Sequence, residues 1–456
     1  MHSAIVLGLA LLLDAANAAP QAQPRVLALD IERDAATRHI QQKRSSPIQA
    51  SISNQQTLYF FNVSVGTPPQ QVRLPIDTGS SDMWVNTPTS RTCTIQHSLC
   101  SAAGVYSPNS SSTYNYLSSN FNITYGDGTF AIGDYATDTV AFGSTTLKDL
   151  QFGIGYRSTS AQGILGIGYT ANEASVSTGD GKSYQNFPAK LAAQGTIASN
   201  AYSIWLNDLA ASTGKILFGG IDKAQYHEPL VALPVQKSAG NQYKEFLITM
   251  TGFALNDTTV QNDMALAVLL DTGTSLTYLP NNIVSQVYDA LGATWDQGQE
   301  TAFVPCHLAK YNTTFTFSFS SPARITVPIS EMVINATNSR GRELTFTNNE
   351  AACILGISPA GENTMILGDT FLRSAYVVYD LDKNQISLAQ SKVGATTGSS
   401  TSDVVEIGSA SASVTTAATA VSAKSGVPSA DSGAAVVEKR MGLMMGALAA
   451  AVYIAL

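Results

Sequence analysis

The chain has 456 residues, with 33 acidic and 25 basic side chains for a formal charge of -8; it is 44% apolar and only 13% charged. Its length excludes a single small module, and its composition excludes both a solvated disordered chain and a membrane bundle. A pI of about 5.1 argues against nucleic acid as a partner, because phosphate binding needs a basic face.

In chain order, Ile5 to Leu13 form a short apolar run followed by Ala16, Asn17 and Ala18, the small-x-small shape of a signal peptidase site, which predicts a signal peptide over 1–18. Residues 19–44 carry Arg25, Arg33, Arg38, Lys43 and Arg44, and the terminal dibasic pair predicts a prosegment released by a kexin-like processing protease. At the other end, 17 of the 50 residues from Ser391 to Arg440 are Ser or Thr. Few large apolar residues stand among them, so 391–432 is expected to be an extended, O-glycosylated stalk without a fold of its own. Met441 to Leu456 is an uncharged 16-residue tail, short of the roughly 20 residues a spanning helix needs. With small residues from Ser429 to Gly433 upstream, this predicts a glycosylphosphatidylinositol attachment signal, its removed part being 433–456, and a lipid link to the membrane.

Six N-x-S/T sequons begin at Asn62, Asn109, Asn122, Asn256, Asn312 and Asn335. Alongside the signal peptide they imply the secretory pathway, where disulfides persist. The four cysteines pair most locally as Cys93 with Cys100 and Cys306 with Cys353. A zinc site is the competing reading, but no C-x-x-C spacing occurs and histidines are few, so no metal is expected.

Between Ser45 and Gln390 short runs rich in Val, Ile, Thr, Tyr and Phe are broken by Gly, Asn and Pro. Strands are predicted over 57–65, 121–125, 215–218, 311–319 and 376–379, the fourth placing Phe315, Phe317 and Phe319 on one face. The best helical pattern is 283–291. The fold class is therefore all-β. Two motifs recur in the same order: Asp77-Thr78-Gly79-Ser80-Ser81 is echoed by Asp271-Thr272-Gly273-Thr274-Ser275, and Ile164-Leu165-Gly166 by Ile366-Leu367-Gly368. An internal duplication follows, with lobes of like topology at 45–222 and 223–390.

On these motifs the chain resembles the pepsin-like aspartic proteases, over nearly all of 45–390. The resemblance implies a bilobal fold with pseudo-twofold related lobes, a monomer, protein or peptide substrates and no cofactor. It makes Asp77 and Asp271 the catalytic pair and Tyr125-Gly126-Asp127-Gly128-Thr129 a hairpin flap over substrate, with Trp84 supporting the flap tyrosine. Secretion signals, stalk and tail resemble the fungal surface branch, the yapsin-like proteases. That branch carries an acidic insertion near the first disulfide, which the short Cys93 to Cys100 interval lacks.

Peptide hydrolysis without a metal or side-chain nucleophile needs one group to activate water and another to protonate the leaving nitrogen. Two carboxyls a few ångströms apart share one proton, because like-charge repulsion raises one pKa, and can do both. By the same resemblance Ser80 and Thr274 hold the outer carboxylate oxygens, Gly79 and Gly273 admit the substrate backbone, and Thr78 and Thr272 brace the two loops against each other. Asp127 reads equally as a partner for a basic substrate side chain or as a solvated hairpin residue, and Asp82 and Asp369 read as structural. The function expected is an acid endopeptidase on the cell surface. A catalytically idle surface-binding or adhesion protein on the same fold is the alternative, disfavoured because both aspartates are present.

Overall fold

The computed structural model describes residues 24–33, 58–394 and 403–428, apart from 144, 179, 239, 339–341, 410, 411 and 418. The expected signal peptide 1–18, Lys43-Arg44 and the tail from Met441 lie outside the described residues.

Strands dominate. In chain order we label β1 (Leu27–Arg33), β2 (Tyr59–Val65), β3 (Gln70–Asp77), β4 (Met83–Asn86), β5 (Asn115–Thr124), β6 (Phe130–Phe142), β7 (Thr145–Ser158) and β8 (Ile164–Gly166). Then come β9 (Ala201–Trp205), β10 (Thr213–Phe218), β11 (Gly220–Asp222), β12 (Tyr226–Pro234), β13 (Leu247–Met250) and β14 (Leu266–Leu270). The last are β15 (Thr277–Leu279), β16 (Ile357–Pro359), β17 (Ile366–Leu367), β18 (Ala375–Asp380), β19 (Gln385–Ser391), β20 (Val404–Glu406) and β21 (Val414–Thr416). The predicted helix is present as α1 (Asn281–Leu291), led by Pro280 and closed by left-handed Gly292. Phe315, Phe317 and Phe319 are all buried.

The duplication is visible in strand register. β3 runs parallel to β8, pairing Ile76 with Leu165 and Asp77 with Gly166, while β4 pairs antiparallel with β8 and parallel with β7. In the second half β14 runs parallel to β17, pairing Leu269 with Ile366 and Leu270 with Leu367; β15 pairs antiparallel with β17 and parallel with β16. Each D-T-G turn thus leaves a strand beside its own I-L-G strand. The closing glycine is needed for contact: a Cβ on Gly166 would lie 2.6 Å from the Asp82 nitrogen, and one on Gly368 2.2 Å from the Thr274 oxygen. Pro75 is tolerated in β3 because the β8 ladder begins only at Ile76.

A 14-stranded sheet joins the halves, with β12, β19 and β18 of the second half continuing through β9 and β10 into the first. The disulfides are Cys93–Cys100 and Cys306–Cys353, each within one half; closing the 47-residue interval of the second stabilises by about 4 kcal/mol on the chain-entropy model. All six sequon asparagines are exposed.

Two segments at the ends of the described chain pack on the body, the second against expectation. Part of the predicted prosegment is built into the sheet: β1 pairs antiparallel with β10 from Leu27–Phe218 to Glu32–Thr213, and with β2 at Glu32–Phe60 and Arg33–Tyr59. Leu27 and Ile31 are buried, and the Arg33 guanidinium donates to the carbonyls of Leu209 and Ala211.

The stalk, expected to pack nowhere, is docked over 403–428. β20 pairs with β11, β21 runs parallel to the edge strand β12, and Ser425 bridges Leu266. Ile407 and Ala412 are buried against the body. The physical reason is that main-chain pairing on an open sheet edge needs no large side chains, so a Ser/Thr/Val segment suffices.

Candidate active site

β3 ends on Asp77 and β14 one residue before Asp271, and the two following turns meet face to face between the halves. The Thr78 amide donates to Thr272 Oγ1 (3.1 Å) and the Thr272 amide to Thr78 Oγ1 (3.0 Å). Each hydroxyl donates onward across the boundary, Thr78 to the Leu270 carbonyl at 2.8 Å and Thr272 to the Ile76 carbonyl at 2.9 Å. All four are buried and paired, which locks the turns together.

Both carboxyls are buried and held by matching bonds. Asp77 Oδ1 accepts from the Gly79 amide (2.8 Å) and its Oδ2 from Ser80 Oγ; Asp271 Oδ1 accepts from the Gly273 amide (2.8 Å) and its Oδ2 from Thr274 Oγ1 at 2.6 Å. The Gly79 amide also reaches Asp271 Oδ1 at 3.1 Å. Neither glycine can carry a side chain, since a Cβ on Gly273 would sit 2.4 Å from Asp77 Oδ1 and one on Gly79 2.7 Å from Asp271. Burial first, then the charge of Asp271, push Asp77 up to about 8, against the lowering effect of the Ser80 and Gly79 hydrogen bonds. One proton is therefore retained by the pair far above the ordinary carboxylate range. Such a site can take a proton from water at one oxygen and give one at another.

The hairpin expected as a flap follows β5. Tyr125 and Thr129 close it through the Tyr125 amide and Thr129 carbonyl at 2.8 Å, and Gly128 turns it with a φ of +82°. Trp84 Nε1 donates to the Tyr125 hydroxyl at 2.8 Å, with the Trp84 ring buried among Phe121, Ile123, Ala131, Tyr135 and Ala174. Burial, followed by the charge of Asp77, pushes the Tyr125 phenol well up, so it is a neutral hydrogen-bonding group beside the carboxyls. Gly126, Asp127 and Gly128 are exposed. Asp127 Oδ1 accepts from the amide and hydroxyl of Thr129, at 2.8 and 2.7 Å. The charge of Asp127 also acts on Tyr278 of the other half, whose phenol is raised by burial first and then by Asp127 and Glu300.

Trp84→Phe keeps a ring but loses the donor to Tyr125. Loss of one net hydrogen bond of about 1 kcal/mol is expected to lower kcat/KM roughly tenfold or less while the chain stays folded, as read from peptide hydrolysis and circular dichroism. An unchanged kcat/KM overturns the role of this contact.

Two groups of residues escaped the sequence reading. Tyr278 stands seven residues after Asp271 as Trp84 does after Asp77, and pairs with Ile366 as Trp84 pairs with Ile164; that repeated offset was a usable signal. Behind Trp84, Asp82 accepts from Tyr135 (2.8 Å), Tyr184 (2.9 Å) and the Ala174 amide (2.7 Å), with buried Glu173 accepting from the Tyr184 amide at 2.7 Å. No local pattern announces that network. Asp82 is structural, as expected, and Asp369 is a fully buried residue opening a short helix.

A family model described as "Eukaryotic aspartyl protease" matches residues 58–391. The chain is 48% identical over 402 residues to "Probable aspartic-type endopeptidase opsB" of Aspergillus oryzae, covering 86% of this chain and 80% of that one. It is 37% identical over 401 residues to "Secreted aspartic protease 1" of Candida albicans, covering 85% and 95%. Among solved structures, an aspartic proteinase from Irpex lacteus superposes with a TM-score of 0.60 at 21% identity, over 81% of this chain and 99% of that one, which shows the shared fold. Paired aspartates on duplicated turns, the register of the two halves and these likenesses converge: the chain belongs to the eukaryotic aspartyl protease family and is an aspartic-type endopeptidase.

Proposed function

We propose that this endopeptidase cuts peptide bonds at acid pH through a water activated by Asp77 and Asp271, and that it does so on the outer face of the cell, held there by a lipid. The observation that carries the first half is the mirrored pair of buried carboxyls, each held by a glycine amide and a hydroxyl. In the first step one carboxylate takes a proton from water as its oxygen bonds to the scissile carbonyl carbon, and the protonated carboxyl gives its proton to the carbonyl oxygen. The gem-diol then collapses: a diol hydroxyl returns a proton to the pair, the pair protonates the nitrogen, and the C–N bond breaks. The shared proton is restored. Tyr125, Gly126, Asp127 and Gly128 would close over the peptide, and Gly79, Gly273 and Thr274 would lie along its backbone.

The second half rests on sequence. The signal peptide 1–18, the prosegment 19–44 ending in Lys43-Arg44, the six sequons and the tail describe a chain that traverses the secretory pathway, is cut by a kexin-like protease and exchanges 433–456 for a glycosylphosphatidylinositol lipid. As a helix the 16-residue tail would reach about 24 Å, short of ~30 Å of hydrocarbon.

One experiment tests both halves. Intact cells are treated with a phosphatidylinositol-specific phospholipase, and the released protein is sequenced and assayed on a denatured protein across pH 3 to 7. The expected product starts at or near Ser45 and hydrolyses best at acid pH. Recovery of Met441 to Leu456 from the mature membrane-bound protein overturns the lipid anchor, and fully active enzyme starting at Ala19 overturns the processing step.

A further inference from the structure

The docked part of the predicted stalk, a tail distinct from Met441 to Leu456, touches the body of the chain at two places that a tether has no need of. The first is the hairpin of residues 235–247, between β12 and β13. Its base is closed by the Gln236 amide donating to the Leu247 carbonyl at 2.7 Å, and its second leg lies beside β14, where the Leu270 amide donates to the Phe246 carbonyl at 3.2 Å. From this leg Tyr243 stacks on Tyr169 of the other half at 6.3 Å, and Phe246 packs on Tyr169 at 5.0 Å and Tyr379 at 4.7 Å. Phe246 is thereby bonded to the last residue of the strand that leads into Asp271. The hairpin is thus wedged between the halves next to the carboxyl pair.

The tail grips this hairpin by its base: Gln236 Oε1 accepts from the Ala423 amide at 3.0 Å, while its Nε2 donates to the Pro234 carbonyl at 3.2 Å. The second place is the start of the strand that ends at Asp271. The Lys424 amide donates to the Ala265 carbonyl at 2.7 Å, and the Ala267 amide to the Ser425 carbonyl at 2.8 Å. Gly426, at a φ of +78°, passes so close that a Cβ would lie 2.7 Å from the Ala267 oxygen. The Val421 amide, donating to Ser320 Oγ at 2.9 Å, fixes the approach. A spacer between an enzyme and a surface works as a flexible coil. Here six residues tie together the base of the interlobe hairpin and the root of the Asp271 strand.

We infer that residues 421–426 are a positioning element of the catalytic site, acting through Gln236 as the positioning residue that sets the hairpin beside Asp271. This rests on the reading of Asp77 and Asp271 as the catalytic pair. A form of the enzyme cut upstream of Val421 and freed of the segment is then slower than one cut downstream of Pro428, so shedding at the two places yields different enzymes.

Full-length Gln236→Ala, Gln236→Glu and Ala423→Pro, and the Gln236→Ala/Ala423→Pro double variant, are assayed for kcat and KM on one peptide, at a temperature where circular dichroism shows each folded. Wild-type hydrolysis and its loss in Asp77→Asn are established first, which settles the catalytic pair independently. Gln236→Ala and Ala423→Pro are expected to lower kcat by about three- to tenfold with KM little changed, milder than the ~100-fold that misplacing a reacting group can cost. The double variant falls no further, because both changes remove one contact. Gln236→Glu keeps an acceptor for the Ala423 amide and restores kcat. Unchanged kcat in Gln236→Ala, even with a lowered Tm, overturns the inference by leaving the tail a stabilising role alone. Additive losses in the double variant overturn it equally, as does a Gln236→Glu kcat no higher than that of Gln236→Ala, since the glutamate loses the Pro234 contact alone. If Ala423→Pro fails to fold, the two Gln236 variants decide.

Discussion

Asparagine in place of either Asp77 or Asp271 is expected to lower kcat by more than about 100-fold, the least that loss of a general acid or base costs, while leaving thermal unfolding intact or slightly improved. The amide is nearly isosteric: its oxygen can accept from the Gly79 or Gly273 amide while its nitrogen donates to the hydroxyl of Ser80 or Thr274, so both contacts of the turn persist with one reversed in direction. What disappears is the shared proton: with one carboxyl gone, the neighbouring charge that helps raise Asp77 is removed or the raised group itself is lost. Stability has little to lose, because two buried acids in contact disfavour the fold whenever both ionise. Retention of more than about a hundredth of wild-type kcat in either variant, measured on a peptide substrate with the folded fraction checked by circular dichroism, sinks the paired mechanism.

The second large effect is on stability against pH. Burial pushes Glu173 from an ordinary glutamate value of 4.5 up to about 9, the charge of Asp82 adding to this and the Tyr184 amide opposing it. Asp82, itself buried, is raised as well. The folded chain keeps a proton on Glu173 that the unfolded chain gives up near 4.5. Between those values the unfolded state binds fewer protons, so stability falls as pH rises. The contribution is complete below about 4.5 and lost as pH climbs through about 9, at up to ~1.4 kcal/mol per pH unit for one group. Set against a total of ~5–15 kcal/mol for a folded domain, this predicts cooperative unfolding on the alkaline side. Glu173→Gln removes the ionisation and retains a carbonyl acceptor for the Tyr184 amide. The midpoint of alkaline unfolding, followed by circular dichroism, is expected to rise by about one pH unit or more. No shift would mean that Glu173 is already ionised in the fold. The loss falls in the half that carries the flap, since Glu173, Asp82, Tyr135 and Tyr184 form the layer behind Trp84.

The paired aspartate turns were legible in the sequence because their parts are contiguous: one turn supplies the carboxyl, the glycine and the capping hydroxyl, and the duplication prints that turn twice. Strand edges were less legible. The run seen at 121–125 covers the last four residues of β5, whose middle, Ser118, Ser119 and Asn120, is polar and pairs with register shifts. Residues 27–33 carry Asp30, Glu32 and Arg33 and so read as part of a charged prosegment, although Leu27 and Ile31 fall on the buried face of a strand. The tail was misread for a physical reason, since main-chain pairing and a glycine at a tight contact leave little trace in hydropathy. Nor could the acid–tyrosine layer be read, because Asp82, Tyr135, Glu173 and Tyr184 meet only through tertiary packing.

The interlocked turns also decide how this molecule can move. Gly79 rests on Asp271 and Gly273 on Asp77, with no room between them for a methyl group, and two threonines cross-link the same point. A pivot placed there permits rotation of one half against the other only through very small angles, because any widening at the floor separates the carboxyls and breaks four bonds to threonine together. Admission of a peptide chain must then be by the roof. The hairpin tip proposed as a flap, with Gly126 and Gly128 facing open space, is then the part expected to lift, and the time it takes to open and close would set a lower bound on each catalytic cycle.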